Sequence, residues 1–292
     1  MTRARRLLIT GGGGMLATDL HCVAEARGHA VTAPTRDALD VTVPGDVRAA
    51  FEAFAPDAVV QAVGLAVDFC EEQPEEALRV HAWGTACVAR ECERRGAAFV
   101  SLSSCGLFGD DVRFYDEYDA PVLKTQYARS KHEGERAALA SCRRAYVVRP
   151  GWLFGGTSAH PRNFVARRWD EAHRVPVLRS AGDKFGSPTF TEDLAARILD
   201  LLDTDAYGLY HVTNAGGGSR YDYVRHIVDT FGLPNPVEKV DSSHHPRSAP
   251  VPACEMLENL NTRFLGLAPL PPWQDAIERH VRQLRATDPA FR

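Results

Sequence analysis

Hydrophobic positions in the first 150 residues alternate between two spacings. Short apolar runs predict β-strands at residues 6–10, 30–33, 58–62, 98–102 and 145–148. Apolar residues three or four positions apart predict helices from the glycine run at 11–14 to about residue 27, and over 47–54, 75–95 and 127–139. Strands that alternate with helices predict an α/β fold, built on a doubly wound parallel sheet with helices on both faces.

The alternation becomes less regular beyond about residue 155, where prolines are frequent. Helices are still predicted at 192–202 and 221–231, with a strand at Gly208–Val212 between them. The proline-rich stretch 244–252 is more typical of a surface or site loop than of a linker. We therefore predict a main domain over residues 1–155 and a smaller lobe over residues 156–292, with some segments of the lobe returning to the main sheet.

The composition argues against several classes of protein. Hydrophobic residues make up 45% of the chain and charged residues 25%, which is ordinary for a globular protein. The net charge of −4 gives no reason to expect binding to nucleic acid or to an anionic membrane. No apolar run reaches the roughly 18 residues that span a bilayer. The seven cysteines form no C-x-x-C pair, so we expect reduced thiols in a cytoplasmic protein, without a metal site.

A glycine-rich turn follows the first predicted strand. Gly11, Gly14 and Ala17 have the spacing G-x-x-G-x-x-A, and Met15 and Leu16 begin the predicted helix. Glycine lets the backbone approach a pyrophosphate closely, and the helix start offers free N–H groups to the phosphates. A flexible turn is the simpler alternative. The strand–turn–helix context favours a Rossmann dinucleotide site.

The end of the second strand bears on the choice of cofactor. An acidic residue there would bind the ribose hydroxyls of NAD(H), but none occurs before Asp37 and Asp40. Arg36 is placed to accept a 2′-phosphate instead, although it is also compatible with a solvated surface position. We therefore expect NADPH, with NADH as the alternative. The full set of expected cofactor-binding residues is Gly11, Gly14, Met15, Leu16, Arg36, Asp40, Ala62, Tyr127 and Lys131.

Tyr127 and Lys131 lie four residues apart at the start of a predicted helix and therefore share one helical face. A lysine beside a tyrosine is expected to lower the pKa of the phenol, so that Tyr127 can pass a proton to a developing alkoxide. Ser104 follows a predicted strand and would donate a second hydrogen bond to the substrate oxygen, with Ser103 as the competing candidate. The expected catalytic set is Ser104, Tyr127 and Lys131.

Further motifs make the chain resemble the dTDP-4-dehydrorhamnose reductases, a family of extended short-chain dehydrogenase/reductases. The resemblance covers nearly the whole chain. Its motifs are VD at 67–68 with Glu71, GE at 134–135, RPGWLFG at 149–155, NFV at 163–165, DKFGSPTFTEDL at 183–194, GLYH at 208–211 and WQDA at 273–276.

This resemblance implies a Rossmann domain with a C-terminal lobe that binds a sugar nucleotide. It also implies NAD(P)H-dependent reduction of the C4 ketone of a nucleotide-linked 4-keto-6-deoxysugar, dTDP being the expected nucleotide. Ser104 and Trp152 would then contact the sugar, and Asn163 and Phe164 would lie near the sugar nucleotide. Without the family, Trp152 would read as a core aromatic, and this remains the alternative.

Departures from the family's pattern cluster on the substrate side. The family's S-T-D-Y-V-F is SSCGLF at 103–108 here, and His81 stands where an asparagine is usual. The family's R-P-x-x-S becomes VPACE at 251–255, which removes an arginine that Arg247 would have to replace, and Glu255 there would repel a diphosphate. We therefore expect a changed 4-ketosugar or product configuration.

Two other functions remain open from the sequence. One is a sugar-nucleotide epimerase that holds NAD tightly, and the other is a non-catalytic, reductase-like binding or regulatory subunit. The expected partner is a nucleotide-sugar substrate, with neither nucleic acid nor membrane. Relatives often dimerise, so a homodimer is one expectation.

Overall fold

The computed structural model describes residues 4–291. Its strands are β1 (Arg6–Thr10), β2 (Ala30–Thr32), β3 (Ala58–Gln61), β4 (Ala98–Leu102), β5 (Ala145–Pro150), β6 (Trp152–Phe154), β7 (Leu178–Ala181), β8 (Phe185–Gly186), β9 (Pro188–Phe190), β10 (Gly208–Val212), β11 (Gly218–Ser219), β12 (Val237–Val240) and β13 (Cys254–Glu255).

The α-helices are α1 (Met15–Ala26), α2 (Pro44–Phe54), α3 (Val67–Glu72), α4 (Pro74–Leu78), α5 (Gly84–Arg95), α6 (Gln126–Ser141), α7 (Phe164–Ala172), α8 (Thr191–Leu202), α9 (Arg220–Phe231), α10 (Leu260–Phe264) and α11 (Trp273–Thr287). A π-helical turn, Arg79–Trp83, joins α4 to α5, so the helix expected over 75–95 is continuous but contains this π-helical turn. Short 3₁₀ turns lie at Ser242–His244 and Pro289–Phe291.

Six parallel strands form the main sheet, in the order β10-β5-β4-β3-β1-β2. The strand order reverses between β1 and β3, and this topological switch point is where ligands bind in open α/β sheets. The doubly wound α/β fold expected from the alternating pattern is thereby confirmed.

Helices cover both faces of the sheet. Leu7 and Ile9 of β1 point to a core that includes Leu20 of α1 and Ile198 of α8. Leu8 points to the opposite core, which is built with α2, α5 and α6. Because both faces of β1 are buried, its sequence is a continuous apolar run rather than an alternating one.

The second half of the chain contributes to two places. Strand β10 forms an edge of the main sheet beside β5, and α8 packs in the same core as α1. The remaining segments form small sheets, β11-β8-β13, β12-β7 and β6-β9, together with α7, α9 and α11. The division at residue 155 remains a prediction. No helix within residues 4–291 has the length and apolar character needed to cross a membrane.

Candidate active site

A cavity of about 200 Å³, here called the inner cavity, lies beyond the carboxyl ends of β4 and β5. Ser104, Tyr127 and Trp152 line it. A larger outer cavity of about 600 Å³ adjoins it. The residues that line both are Trp152, Arg220, Arg247, Val251, Pro252 and Glu255.

The structure distinguishes the two neighbouring serines. Ser103 is buried, and its hydroxyl donates a 2.5 Å hydrogen bond to Glu135 Oε1. Ser104 lines the inner cavity, where its Oγ accepts a hydrogen bond from the Gly106 N–H at 3.1 Å and is hydrogen-bonded to Tyr127. Of the two serines, Ser104 is therefore the one whose hydroxyl is available in the cavity.

Tyr127 stands in the first turn of α6. Thr125 caps this helix by accepting a hydrogen bond from the Ala128 N–H at 2.9 Å, which fixes where the helix begins. Burial raises the pKa of the Tyr127 phenol, and the hydrogen bond with Ser104 offsets this only in part. The expected lowering of this pKa by Lys131 was wrong, because desolvation of the phenolate dominates. The phenol is protonated at neutral pH and available as a proton donor.

Lys131 lies one helical turn further along α6 and is buried. Its ammonium donates hydrogen bonds to the carbonyl of Leu102, the last residue of β4, at 3.1 Å and to the carbonyl of Val63, two residues after β3, at 3.3 Å. Burial lowers the pKa of Lys131 to about 8, and the charges of Cys70 and Glu135 counteract this. The side chain therefore ties α6 to the carboxyl edge of the sheet.

His81 lies within the π-helical turn and connects two parts of the site. Its Nε2 accepts a hydrogen bond from the Leu65 N–H at 3.1 Å. Its Nδ1 lies 2.8 Å from Ser130 Oγ, and that hydroxyl donates to the Tyr127 carbonyl at 3.0 Å. Burial lowers the pKa of His81 to about 2. The contacts therefore belong to a neutral imidazole protonated on Nδ1.

The glycine turn fits tightly against the end of β2. A Cβ at Gly12 would lie 1.9 Å from the Ala33 carbonyl oxygen, and the Gly12 N–H donates to the Pro34 carbonyl at 3.0 Å. The N-cap of α1 is Gly14, which offers no capping side chain. The first N–H groups of this helix are therefore free of a side-chain cap.

Other expected cofactor residues surround the same turn. A Cβ built at Gly11 would lie 3.4 Å from the carbonyl group of Ala62. Met15 packs against Gly156, whereas the side chain of Leu16 is buried in the core, which leaves its main chain for a ligand. Arg36 is 65% exposed, with Nε 3.4 Å from Asp40 Oδ2 and a terminal nitrogen 3.9 Å from Glu76 Oε1. Two long ion pairs are therefore all that engages the exposed guanidinium of Arg36 among the described residues.

Trp152 lines both cavities and is held by contacts on several sides. Its ring lies against Gly186, where a Cβ would come within 2.2 Å of it, and the Arg220 guanidinium stacks 3.5 Å from the ring centroid. The indole N–H donates a 2.6 Å hydrogen bond to Glu255 Oε2. Burial raises the pKa of Glu255, which that hydrogen bond and the charges of Arg220, Arg247 and Lys184 counteract. Three segments distant in sequence therefore fix one aromatic ring.

Of the other residues expected to bind substrate, Phe164 and Arg247 line a cavity and Asn163 does not. Phe164 lines the outer cavity and stacks on Tyr223 at 4.9 Å. Arg247 lines both cavities, but it is paired with Asp68 at 2.8 Å.

Asn163 is fully buried and lines neither cavity. Its side chain caps α7 by accepting from the Ala166 N–H, and its amide group donates to the Thr157 carbonyl. Because the helix cap uses this side chain, the structure does not bring it to the candidate site.

Arg220 was missed by the sequence analysis. It has no carboxylate partner within 4 Å in the described part of the chain, and it follows the glycines at 216–218 without any recognisable motif. Glu255 was noticed only as a departure from the family. Its contact with Trp152 depends on the pairing of β13 with β8, which no local pattern predicts.

The glycine turn after β1, and the Ser104, Tyr127 and Lys131 side chains at the carboxyl edge of the sheet, define an extended short-chain dehydrogenase/reductase. The chain belongs to the family described as the RmlD substrate binding domain, whose model matches residues 5–286. This is the family of the dTDP-4-dehydrorhamnose reductases.

Sequence and structural similarity to individual relatives supports this family assignment. The dTDP-4-dehydrorhamnose reductase of Mycolicibacterium smegmatis is 34% identical over 284 residues, 95% of this chain and 85% of that protein. A probable dTDP-4,6-dihydroxy-2-methyloxan-3-one 4-ketoreductase of Streptomyces antibioticus is 33% identical over 97% of both chains. The crystal structure of dTDP-4-dehydrorhamnose reductase from Bacillus anthracis in complex with NADP matches with a TM-score of 0.91 at 26% identity, over 96% of this chain and 100% of that one. The chain is thus a member of a family of NAD(P)H-dependent dTDP-sugar 4-ketoreductases.

Proposed function

We propose that this protein uses NADPH to reduce the C4 ketone of a dTDP-linked 4-keto-6-deoxysugar. The main support for this proposal is the inner cavity, which is lined by the hydrogen-bonded Ser104 and Tyr127 hydroxyls. This cavity adjoins the larger outer cavity, which is lined by cations. A ketone needs a proton donor beside its oxygen, and a nucleotide diphosphate needs cations beyond it.

The glycine turn and Arg36 fit a phosphorylated dinucleotide. At Gly12 the glycine turn lies so close to the Ala33 carbonyl that any side chain would block the contact. The start of α1 has no side-chain cap, so it offers N–H groups and the positive end of the helix dipole to a pyrophosphate. Arg36 is largely exposed and could exchange its weak pairs with Asp40 and Glu76 for a 2′-phosphate. We assign Gly11, Gly14, Met15, Leu16, Arg36, Asp40 and Ala62 to this site.

Ser104, Tyr127 and Lys131 would supply the protein's part of the chemistry. When bound, reduced nicotinamide would supply a hydride to the carbonyl carbon. Ser104 holds the carbonyl oxygen by a hydrogen bond, and Tyr127 transfers its phenolic proton to that oxygen, so that the ketone becomes an alcohol. Lys131, one helical turn along the same face of α6, would supply a positive charge that favours the phenolate that remains.

The outer cavity would bind the nucleotide diphosphate. Its lining contains the cations Arg167, Arg168, Arg179, Lys184, Arg220 and Arg247. Several are neutralised by neighbours, for example Arg247 by Asp68 and Arg179 by Glu238. Arg220 has no such partner within the described residues, and it stacks on Trp152 at the boundary between the cavities. We therefore add Arg220 to Trp152, Phe164 and Arg247 as residues that bind the substrate.

A turnover assay tests this function. The purified protein is incubated with NADPH and a panel of dTDP-4-keto-6-deoxysugars, and the reduced-nicotinamide absorbance and the sugar product are followed. We expect one NADPH to be consumed for each C4 hydroxyl formed, with dTDP-4-dehydrorhamnose a poorer substrate than the best member of the panel. An epimerised product without net NADPH consumption would instead identify an epimerase. Binding without any turnover would identify a non-catalytic subunit.

A further inference from the structure

Glu255 introduces a carboxylate where the family usually carries a serine. It lies on β13, which pairs with β8, and its Oε2 accepts the indole N–H of Trp152 at 2.6 Å. Glu255 lines the inner cavity as well as the outer one. The carboxylate is therefore held beside the reacting groups as well as on the diphosphate side.

The position of Gly106 shows how close these groups are. A Cβ built there would lie 3.0 Å from Glu255 Oε1, 3.5 Å from Ser104 Oγ and 3.9 Å from Tyr127 Cε1. These three groups thus surround one small space, which remains open because residue 106 is glycine. Any side chain larger than glycine would enter that space.

The two oxygens of Glu255 have different surroundings. Oε2 is used by Trp152, whereas none of the hydrogen bonds among residues 4–291 reaches Oε1. Arg220, Arg247 and Lys184 all act on the charge of Glu255, yet none forms an ion pair with it within 4 Å. Oε1 is consequently an acceptor that faces the cavity with no donor of its own.

We propose that Glu255 selects substrates with a hydrogen-bond donor at C3, the ring carbon next to the ketone. This inference rests on the proposed function, because it takes the C4 ketone to lie at Ser104 and Tyr127. In a 6-deoxysugar the other neighbour, C5, carries a methyl group and the ring oxygen, neither of which donates. A hydroxyl or ammonium at C3 can donate to Oε1.

The test compares two substrates that differ only at C3, dTDP-4-keto-6-deoxyglucose and its 3-deoxy analogue. We expect the protein to prefer the 3-hydroxy compound in kcat/KM by roughly tenfold or more, because the analogue leaves a carboxylate oxygen unpaired in a partly desolvated site. Glu255→Leu should bring the two values within about threefold of each other, mainly by reducing the rate with the 3-hydroxy compound.

Glu255→Gln provides a second, gentler variant. The Gln carbonyl can still accept the Trp152 N–H, but the group that faces the cavity is then a neutral NH₂ and no longer a charged acceptor. The C3 preference should fall at least fivefold, while NADPH binding, measured by fluorescence, stays unchanged. If the leucine variant does not fold, the glutamine variant alone decides. Glu258→Gln is the matched control and should keep the preference, because the Glu258 side chain lies in the same segment but is 44% exposed and paired with Arg263.

The outcomes separate this inference from the proposed function. If the unmodified protein reduces both sugars equally well, or if both Glu255 variants keep its preference, the inference is overturned and the reductase assignment stands. If neither these two sugars nor any other member of the panel is reduced and no NADPH is consumed, the proposed function fails and this inference fails with it.

Discussion

Glu135 and Arg149 form a buried, two-point ion pair next to the candidate active site. Glu135 Oε1 lies 2.7 Å from Arg149 Nε, and Oε2 lies 2.7 Å from a terminal guanidinium nitrogen. The Ser103 hydroxyl donates to the same carboxylate. The pair joins α6, which carries Tyr127 and Lys131, to β5, and it holds the chain one residue before Ser104.

This ion pair predicts an acid-sensitive contribution to stability. Burial opposes ionisation of Glu135, but hydrogen bonds from Arg149 and others outweigh it and lower its pKa to about 2. Since the pKa in the folded protein is below the ordinary 4.5, the contribution is fully present above pH 4.5 and is lost as the pH falls towards 2. The shift corresponds to about 3 kcal/mol.

Glu135→Gln should reduce the free energy of unfolding by about 3–5 kcal/mol at pH 7, because Arg149 would remain buried without its partner. Urea unfolding at pH 7 and at pH 3 measures the effect, and the difference from the unmodified protein should shrink at pH 3. Glu133→Gln, exposed on the same helix, should change stability by less than about 0.5 kcal/mol. An equal loss at both pH values would contradict the assigned charge.

Tyr127→Phe should lower kcat by about two to four orders of magnitude and leave the Kd for NADPH nearly unchanged, because only the proton donor is removed. Single-turnover kinetics with a saturating ketone substrate measure the rate, and fluorescence titration measures the Kd. Tyr118→Phe, at a tyrosine that is 73% exposed, serves as the control. A Tyr127→Phe variant within twofold of the parent would exclude Tyr127 as the donor.

Lys131 predicts an alkaline limit to activity. Burial lowers its pKa to about 8, so its ammonium loses a proton as the pH rises through that value. If the charge is needed, kcat/KM should fall about tenfold for each pH unit above 8. Lys131→Arg should lower activity but remove this transition, because a guanidinium stays charged. A profile for the parent that is flat up to pH 10 would contradict this role.

Arg36→Ala should narrow the preference for NADPH over NADH by roughly ten- to a hundredfold, because a charge-assisted contact with the 2′-phosphate is worth about 1.5–3 kcal/mol. The ratio of kcat/KM for the two cofactors measures this effect. Glu76→Gln should favour NADPH further, since Glu76 lies 3.9 Å from Arg36 and competes for its charge. Arg48→Ala is an exposed control. A parent that prefers NADH would make Arg36 an ordinary surface residue.

Arg220→Ala should raise KM for the dTDP-sugar more than Arg247→Ala does. In both variants kcat should change less than KM, because the lost contact binds the substrate and the transition state equally. Arg247 already shares its charge with Asp68, whereas Arg220 has no carboxylate within 4 Å in the described residues. Initial rates over a range of substrate concentrations measure both parameters. Arg225→Ala, exposed on the same helix as Arg220, is the control. Unchanged KM in both variants would place the diphosphate elsewhere.

Local patterns in the sequence predicted most of the main sheet. Strand β1 was expected at Arg6–Thr10 and β4 at Ala98–Leu102, and both occur with those bounds. Strands buried on both faces give apolar runs, and the four-residue spacing of Tyr127 and Lys131 places them on one helical face wherever the helix lies. The glycine turn is equally local, because its backbone geometry depends on consecutive residues. Motif resemblance then supplied the family.

Contacts between distant segments decided the rest. The sequence favoured Ser104 but left Ser103 as a competing candidate, and the structure separates them because Glu135 accepts the Ser103 hydroxyl. Asn163 matched a motif but caps α7, and burial reversed the expected pKa shift of Tyr127. The contact of Trp152 with Glu255 joins positions more than a hundred residues apart. Hydrogen-bond partners and desolvation depend on which segments pack together, and only the tertiary structure determines that.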